Sequence, residues 1–284
     1  MKTILLPTDF SLNSNNAISY ALNFYKDEEC HFILLHAYKV NGYRQHSTFI
    51  PIPGNTEREK VRKDCQVKIN KLLKEIEQRY PNPLHRFSTV TQNQQLVAAI
   101  GEELGKQQIT VIIIGTQGNT AARDVSYGSN TIDIMEEIHN CPILAIPSHV
   151  RFSKIKEVVL ASGFKIPPLE EEYIFIKELL EKTGASLRVL HIEENWLSEA
   201  QRGNREELKK VLTVVPHSFH TLAHVSVPIG IYCFTESRGS DMIAFVNKRH
   251  SFFQNVLFNP LYKNLGNYSQ IPVLIMQTRE TYKH

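Results

Sequence analysis

The sequence predicts an α/β protein made of two tandem, doubly wound, parallel five-stranded sheets. Three observations predict it. Short continuous Val/Ile/Leu runs recur along the chain, as in strands buried on both faces. Segments with helical apolar spacing separate those runs, the order that builds a parallel sheet. The second half of the chain repeats the plan of the first. A length of 284 residues leaves room for two cores of ordinary domain size.

Residues 3–8 (TILLPT) read as the first strand, and Ala17, Ile18, Ala21, Leu22 and Tyr25 give a helical stripe after it. Residues 31–38 (HFILLHAY) read as the second strand. Thr56 and Glu59 have the spacing of a capping box, which opens a long helix striped by Val61, Cys65, Ile69, Leu72, Leu73 and Ile76. Pro81 and Pro83 end that helix by Tyr80. A third strand follows near 86–91, then a helix through Leu96, Val97, Ile100 and Leu104. The fourth strand is 110–114 (TVIII), the next helix runs from about 131 to 140, and 142–147 (PILAIP) is the fifth strand.

The repeat rests on four matches in order, each at a strand. Residues 157–164 (EVVLASGF) lie over 3–10 (TILLPTDF), and 186–191 (SLRVLH) over 31–36 (HFILLH). Residues 241–245 match 110–114, and 271–275 match 141–145. Such order indicates an internal duplication. It divides the chain into domains 1–150 and 151–284, joined near 148–153.

Composition narrows the function classes. A net charge of +3, with basic residues scattered, argues against a nucleic-acid partner, and the short run 247–250 (NKRH) reads as a solvated loop. No stretch approaches the roughly 20 apolar residues of a membrane helix. The apolar run from Thr3 to Leu6 is too short for a signal-peptide core. Cys30, Cys65, Cys141 and Cys233 are widely spaced and read as reduced thiols. A cytoplasmic location is the expectation.

The chemistry-bearing segment follows the fourth strand: Gly115, two residues, Gly118, nine residues, then Gly128, Ser129 and Asn130 at a helix start. Without a Cβ, Gly115 and Gly118 let the backbone turn sharply and approach an anion. At Gly128 and Ser129 the next helix presents free N–H groups and its positive dipole end. The Ser129 hydroxyl can cap that helix or bond a phosphate oxygen. Carboxyl ends of parallel strands are where open α/β sheets bind ligands. The pattern is neither a Walker A loop nor GxGxxG.

This spacing resembles the signature of the universal stress protein family, Gly-x2-Gly-x9-Gly-Ser/Thr, at Gly115, Gly118, Gly128 and Ser129. Residues 4–11 (ILLPTDFS) resemble that family's first strand with its terminal aspartate, here Asp9. Residues 34–37 (LLHA) resemble its second strand and 141–147 (CPILAIP) its last. The likeness covers nearly all of 1–147 and, more faintly, 155–277. It implies a Rossmann-like, adenine nucleotide α-hydrolase-like fold. It also implies that Pro7, Thr8, Asp9, Ala37, Ile114, Gly115, Gly118, Gly128, Ser129 and Asn130 bind ATP, with or without Mg2+. Asn130 departs from the family, which commonly has an apolar residue there. Read from chemistry alone, Asp9 is either a ligand contact or a cap on the following helix.

In the repeat alignment Gly115 becomes Val246, Gly118 becomes Arg249, Gly128 and Ser129 become about Asn259 and Pro260, and Asp9 becomes Gly163. Val246 brings back a branched side chain and Pro260 removes a donor, so the second domain is expected to have lost the nucleotide loop. Phe252, Phe253, Val256, Leu257 and Phe258 read as packing in its place. His217, His220 and His224 lie in a strand-like run whose alternation spreads them over both faces, so no metal site is expected.

No catalytic residues are assigned, because no Ser-His-Asp, HExxH or paired-carboxylate pattern is recognisable. The expected function is a cytoplasmic stress-response protein that binds ATP in its first domain without fast turnover, as a nucleotide sensor or a module for an unknown protein partner. A nucleotide-dependent enzyme is one competing reading, with Arg123 or Asp124 serving hydrolysis or adenylyl transfer. A structural pseudo-dimer with an empty pocket is another. Family members commonly dimerise through their fifth strands. The resemblance therefore implies that 143–146 and 273–276 pair inside this chain, with room for a further homodimer.

Overall fold

The computed structural model describes residues 1–40, 55–117, 127–193, 195–247 and 271–277, with side chains in the second helix from residue 58. The first half alternates β1 (Lys2–Pro7), α1 (Leu12–Phe24), β2 (Cys30–Ala37), α2 (Asn55–Arg79), β3 (His85–Gln92), α3 (Leu96–Lys106), β4 (Val111–Gly115), α4 (Ser129–Glu137) and β5 (Ile143–Ile146). The second half has β6 (Glu157–Ala161), a 3-10 turn (Glu170–Tyr173), α5 (Ile174–Thr183), β7 (Ser186–Glu193), α6 (Glu199–Val211), β8 (His217–Ala223), α7 (Val227–Arg238), β9 (Met242–Asn247) and β10 (Val273–Gln277).

The ten strands of the described residues form one sheet in the order β3-β2-β1-β4-β5-β10-β9-β6-β7-β8. Neighbours are parallel within each half, and the halves meet where β5 and β10 pair antiparallel, Leu144 opposite Leu274. The continuous apolar runs arise because helices cover both faces. Ile4, Leu6, Leu144, Val158, Leu160 and Leu274 join one buried layer. Leu5, Ile112, Ile143, Val159 and Ile243 join the other. Both layers run through the seam. Among the described residues no helix is long and apolar enough to cross a membrane.

The duplication extends to local geometry. Phe10 and Phe164 both adopt left-handed backbone, with φ of 63° and 53°. Each packs on a histidine at the end of the second strand of its half, His36 at 4.5 Å and His191 at 5.1 Å between ring centroids. Those histidines use Nδ1 alike, toward the Thr8 carbonyl at 2.8 Å and the Ser162 carbonyl at 2.9 Å.

Two helix boundaries differ from expectation. α1 begins at Leu12 with Ser11 as its N-cap, five residues before the apolar stripe suggests. Its first turns are polar but buried, because Asn13 and Asn16 bond backbone carbonyls of other elements. α4 starts at Ser129 and stops at Glu137, since Ile138 turns extended, with φ −88° and ψ 118°.

Candidate functional site at the carboxyl edge of the first half

β1, β2 and β4 are parallel neighbours, so their carboxyl ends reach one edge of the sheet. Pro7 lies opposite Leu35 of β2, and the pairing of Leu5 with Ile112 carries Pro7 alongside Ile114. Pro7, Ala37, Ile114 and Gly115 are thereby brought together, each at the end of its strand. Ile114 and Gly115 are buried, while Ala37 is half-buried.

The turn from β1 to α1 is held from within. Thr8 donates its N–H to the Leu35 carbonyl at 2.8 Å. Its Oγ1 accepts from the Phe10 N–H at 3.0 Å and shares a hydrogen bond with Ser14 Oγ at 3.1 Å. With its carbonyl taken by His36, every polar group of Thr8 is engaged inside the protein. Asp9 Oδ1 accepts the Ser11 N–H at 3.0 Å, while the Ser11 hydroxyl accepts from the Ser14 N–H at 3.1 Å. The helix cap is therefore Ser11, and Asp9 braces the turn before it. Burial lowers the pKa of His36, and bonding a carbonyl requires the proton on Nδ1. The ring packs on Phe10 and Tyr38, whose centroids are 4.5 and 6.2 Å from its own.

Gly115 is required by a neighbour that the sequence pattern did not reveal. A Cβ on it would lie 2.8 Å from both Cγ and Nδ2 of Asn13. Asn13 crosses the end of β4 to donate Nδ2 to the Gln117 carbonyl at 2.7 Å, and its Oδ1 is buried with no partner among the described residues. The available signal was the polar run 11–16 (SLNSNN) on a helix that has to pack against a sheet.

From β4 the backbone passes to α4 through short contacts. Thr116 donates its N–H to Ile146 at 3.1 Å, and Gly128 donates to Thr116 at 2.7 Å. Thr131 Oγ1 donates to the Gly115 carbonyl at 3.0 Å, which pins the first turn of α4 to the strand end. Gly128 is the N-cap, and among the described residues no side chain caps this helix. Ser129 is thus the first helical residue rather than its cap. Ser129 and Asn130 are exposed, and among the described residues nothing accepts from their backbone N–H groups. Gly118, Arg123 and Asp124 lie outside the described residues.

At the corresponding edge of the second half two side chains bond the backbone after β6. Gly163 stands at the position of Asp9, and its carbonyl accepts from Gln201 Nε2 at 2.9 Å. Asn204 Nδ2 bonds the Phe164 carbonyl at 2.8 Å. β9 runs on through Val246 to Asn247, whose Nδ2 bonds the Met135 carbonyl of α4 at 3.1 Å. Residues 249, 252, 253 and 256–260 lie outside the described residues. On β8, His217 packs against Phe219 and His220 bonds Ser218 at 2.7 Å, placing these two histidines on opposite faces. Among the described residues no three His, Cys, Asp or Glu side chains are grouped to hold a metal.

The universal stress protein family model matches residues 1–147. A universal stress protein from Archaeoglobus fulgidus DSM 4304 superposes with a TM-score of 0.69 at 16% identity, over 97% of this chain and 98% of that one. A functionally unknown protein from Pseudomonas aeruginosa PAO1 follows with 0.61 at 13% identity, over 98% and 92%. The cytoplasmic domain of a prokaryotic cation chloride cotransporter gives 0.56 at 10% identity, over 97% and 95%. At these identities the likeness shows the fold alone. No curated protein sequence matches the chain. The fold and its edge define a tandem, doubly wound α/β protein whose first half presents a helix N-terminus at the strand ends, with no side-chain cap among the described residues. The chain belongs to the universal stress protein family.

Proposed function

We propose that residues 1–150 form the nucleotide-binding domain and bind one ATP at the carboxyl edge, with or without Mg2+, while residues 151–284 form a degenerate domain that binds none. The protein acts in the cytoplasm as a nucleotide sensor or partner-binding module in a stress response, without fast turnover. The observation that carries this reading is the N-terminus of α4, where nothing among the described residues accepts from the Ser129 and Asn130 N–H groups and which is anchored to the end of β4 at Gly115 and Thr116. Free N–H donors at a helix start are the chemistry that holds phosphate. Ser129 and Asn130 would supply them, with Gly115 and Gly118 giving the close approach. The half-buried Asp9, with Ala37 and Ile114, would face the nucleoside. At the equivalent edge of the second half Gly163 stands where Asp9 stands in the first, and β9 continues through Val246 where β4 ends at Gly115.

Titration calorimetry with ATP tests the reading: a stoichiometry near one per chain is expected, and two sites overturn the asymmetry. Gly118→Val is expected to abolish binding and leave the fold intact. At a hundredfold excess over Kd, ATP should add about 2.7 kcal/mol of stability. Phosphate release at about 1 per second or faster would favour an enzyme instead.

A further inference from the structure

The outer strand β8 carries a polar cluster apart from the nucleotide edge. Sheet register sets Ser218 of β8 opposite Arg188 of β7. Arg188 Nη1 donates to Ser218 Oγ at 2.9 Å, while its Nε donates to Glu157 Oε2 of β6 at 2.8 Å. Ser218 Oγ lies 2.7 Å from Nε2 of His220, two residues along the strand and therefore on the same face. The His220 ring rests on Phe234 of α7, with 5.1 Å between centroids. Arg188, Ser218 and His220 are half-buried, so each keeps some contact with solvent.

The directions of these bonds follow from which groups can donate. A guanidinium only donates, so Ser218 Oγ accepts from Arg188. Among the described residues the other group bonded to that hydroxyl is His220 Nε2, which therefore takes its proton. Nε2 is then the bare nitrogen of a neutral ring. Burial, then Arg238 and Arg188, lower the pKa of His220 against the opposing pull of Glu157, which favours the neutral form. Among the described residues Arg188 Nη2 makes no hydrogen bond, and packing on Phe234 takes the place of the carboxylate that orients the base in a triad. A hydroxyl aimed at a neutral imidazole, beside spare guanidinium N–H groups, can become a nucleophile and hold an oxyanion.

We propose that Ser218 and His220 form a second reactive site, a serine nucleophile with its base, that accepts acyl groups from small activated esters. Ser218 Oγ attacks the carbonyl carbon of the ester, and its proton passes to His220 Nε2. The carbonyl oxygen, now negative, faces Arg188 Nη2. As the carbonyl re-forms, the bond to the leaving oxygen breaks and that oxygen takes the proton from His220, which leaves an acylated Ser218. Water, deprotonated by the same imidazole, then attacks the acyl carbon, releases the carboxylic acid and restores the hydroxyl. The half-buried hydroxyl, close beneath α7, suits a short acyl chain. The site is independent of the nucleotide edge, which lies in the other half of the chain.

A fluorophosphonate probe tests this in the whole chain, because it bonds an activated serine oxygen through phosphorus with loss of fluoride, the proton going to the base. Peptide mass spectrometry is expected to find the label on Ser218. p-Nitrophenyl acetate is expected to release a burst of about one equivalent of nitrophenolate per chain, and prior labelling to remove it. His220→Gln should slow labelling about a hundredfold, the scale of a lost general base, with Tm unchanged. Ser218→Ala should abolish label and burst together. An unlabelled chain, a label confined to other residues, a missing burst, or labelling of Ser218 at the same rate in His220→Gln overturns the proposal. Label and burst are read on the unaltered chain, so they decide the matter even where a variant fails to fold.

Discussion

At the scale of single residues, the candidate site depends on how tightly polar groups fit around a strand end. Gly115 illustrates this, because its missing Cβ is filled by Asn13. Gly115→Ala is expected to push Asn13 off the Gln117 carbonyl and to destabilise by about 1–3 kcal/mol, the usual cost of overpacking. Adding Asn13→Ala should return part of that loss, which denaturant unfolding of the single and double variants measures. Asp9→Ala should weaken ATP binding by about 1–3 kcal/mol in calorimetry. Its bond to the Ser11 N–H makes a modest loss of stability a second expected effect, separable by measuring unfolding without ligand. The places of Gly115 at the end of β4 and of Asp9 after β1 were legible in the sequence. Asn13 was not, because its partner lies 104 residues away.

Among the elements, β6, β7 and the end of α7 in the second half are tied by one carboxylate. Glu157 of β6 accepts from Arg238 of α7 at 2.7 and 2.6 Å, from Arg188 of β7 at 2.8 Å and from Ser240 at 2.9 Å. Hydrogen bonds from Arg238, then Arg188 and Ser240, hold its carboxyl down at about 2 against the opposing pull of burial. A carboxyl whose pKa is lower in the fold than in the unfolded chain contributes stability above the unfolded value. That contribution is lost as pH falls from about 4.5 toward about 2. Glu157→Gln is therefore expected to be less stable at neutral pH and to flatten the acid limb of a stability-against-pH curve. An unchanged acid limb would count against this network. The start of α1 belongs to the same scale. Periodicity predicts a helix from its apolar stripe, but Ser11, Asn13 and Asn16 are buried for their hydrogen bonds, which a hydropathy pattern scores as loop.

For the whole molecule, the seam decides the architecture. β5 and β10 satisfy each other's edges, which leaves β3 and β8 as the outer strands of the sheet. Lys182 of α5 bonds the Phe24 carbonyl, pairs with Glu28 and lies 3.8 Å from the centroid of the Phe24 ring, so the halves are joined by packing and charge as well as by strands. Residues 1–150 expressed alone would expose β5. A homodimer or a poorly soluble product is expected from size-exclusion chromatography with light scattering, and a stable, soluble monomer would contradict this account of the seam.

The sequence by itself determined the order of strands and helices, the duplication, the glycine spacing and the family, because these depend on local spacing and periodicity. Nothing in that spacing says which distant groups share a hydrogen bond or which strand edges touch. The tertiary structure decided that Ser11 rather than Asp9 caps α1 and that Asn13 fills the space above Gly115. It also decided that Gln201 and Asn204 bond the backbone at the second half's strand ends. It placed the connection between the halves against α1, where Asn16 bonds the Pro147 and Val150 carbonyls. Each of these is a contact between residues brought together only when the sheet closes, and burial then makes an unpaired polar group costly enough to select its partner.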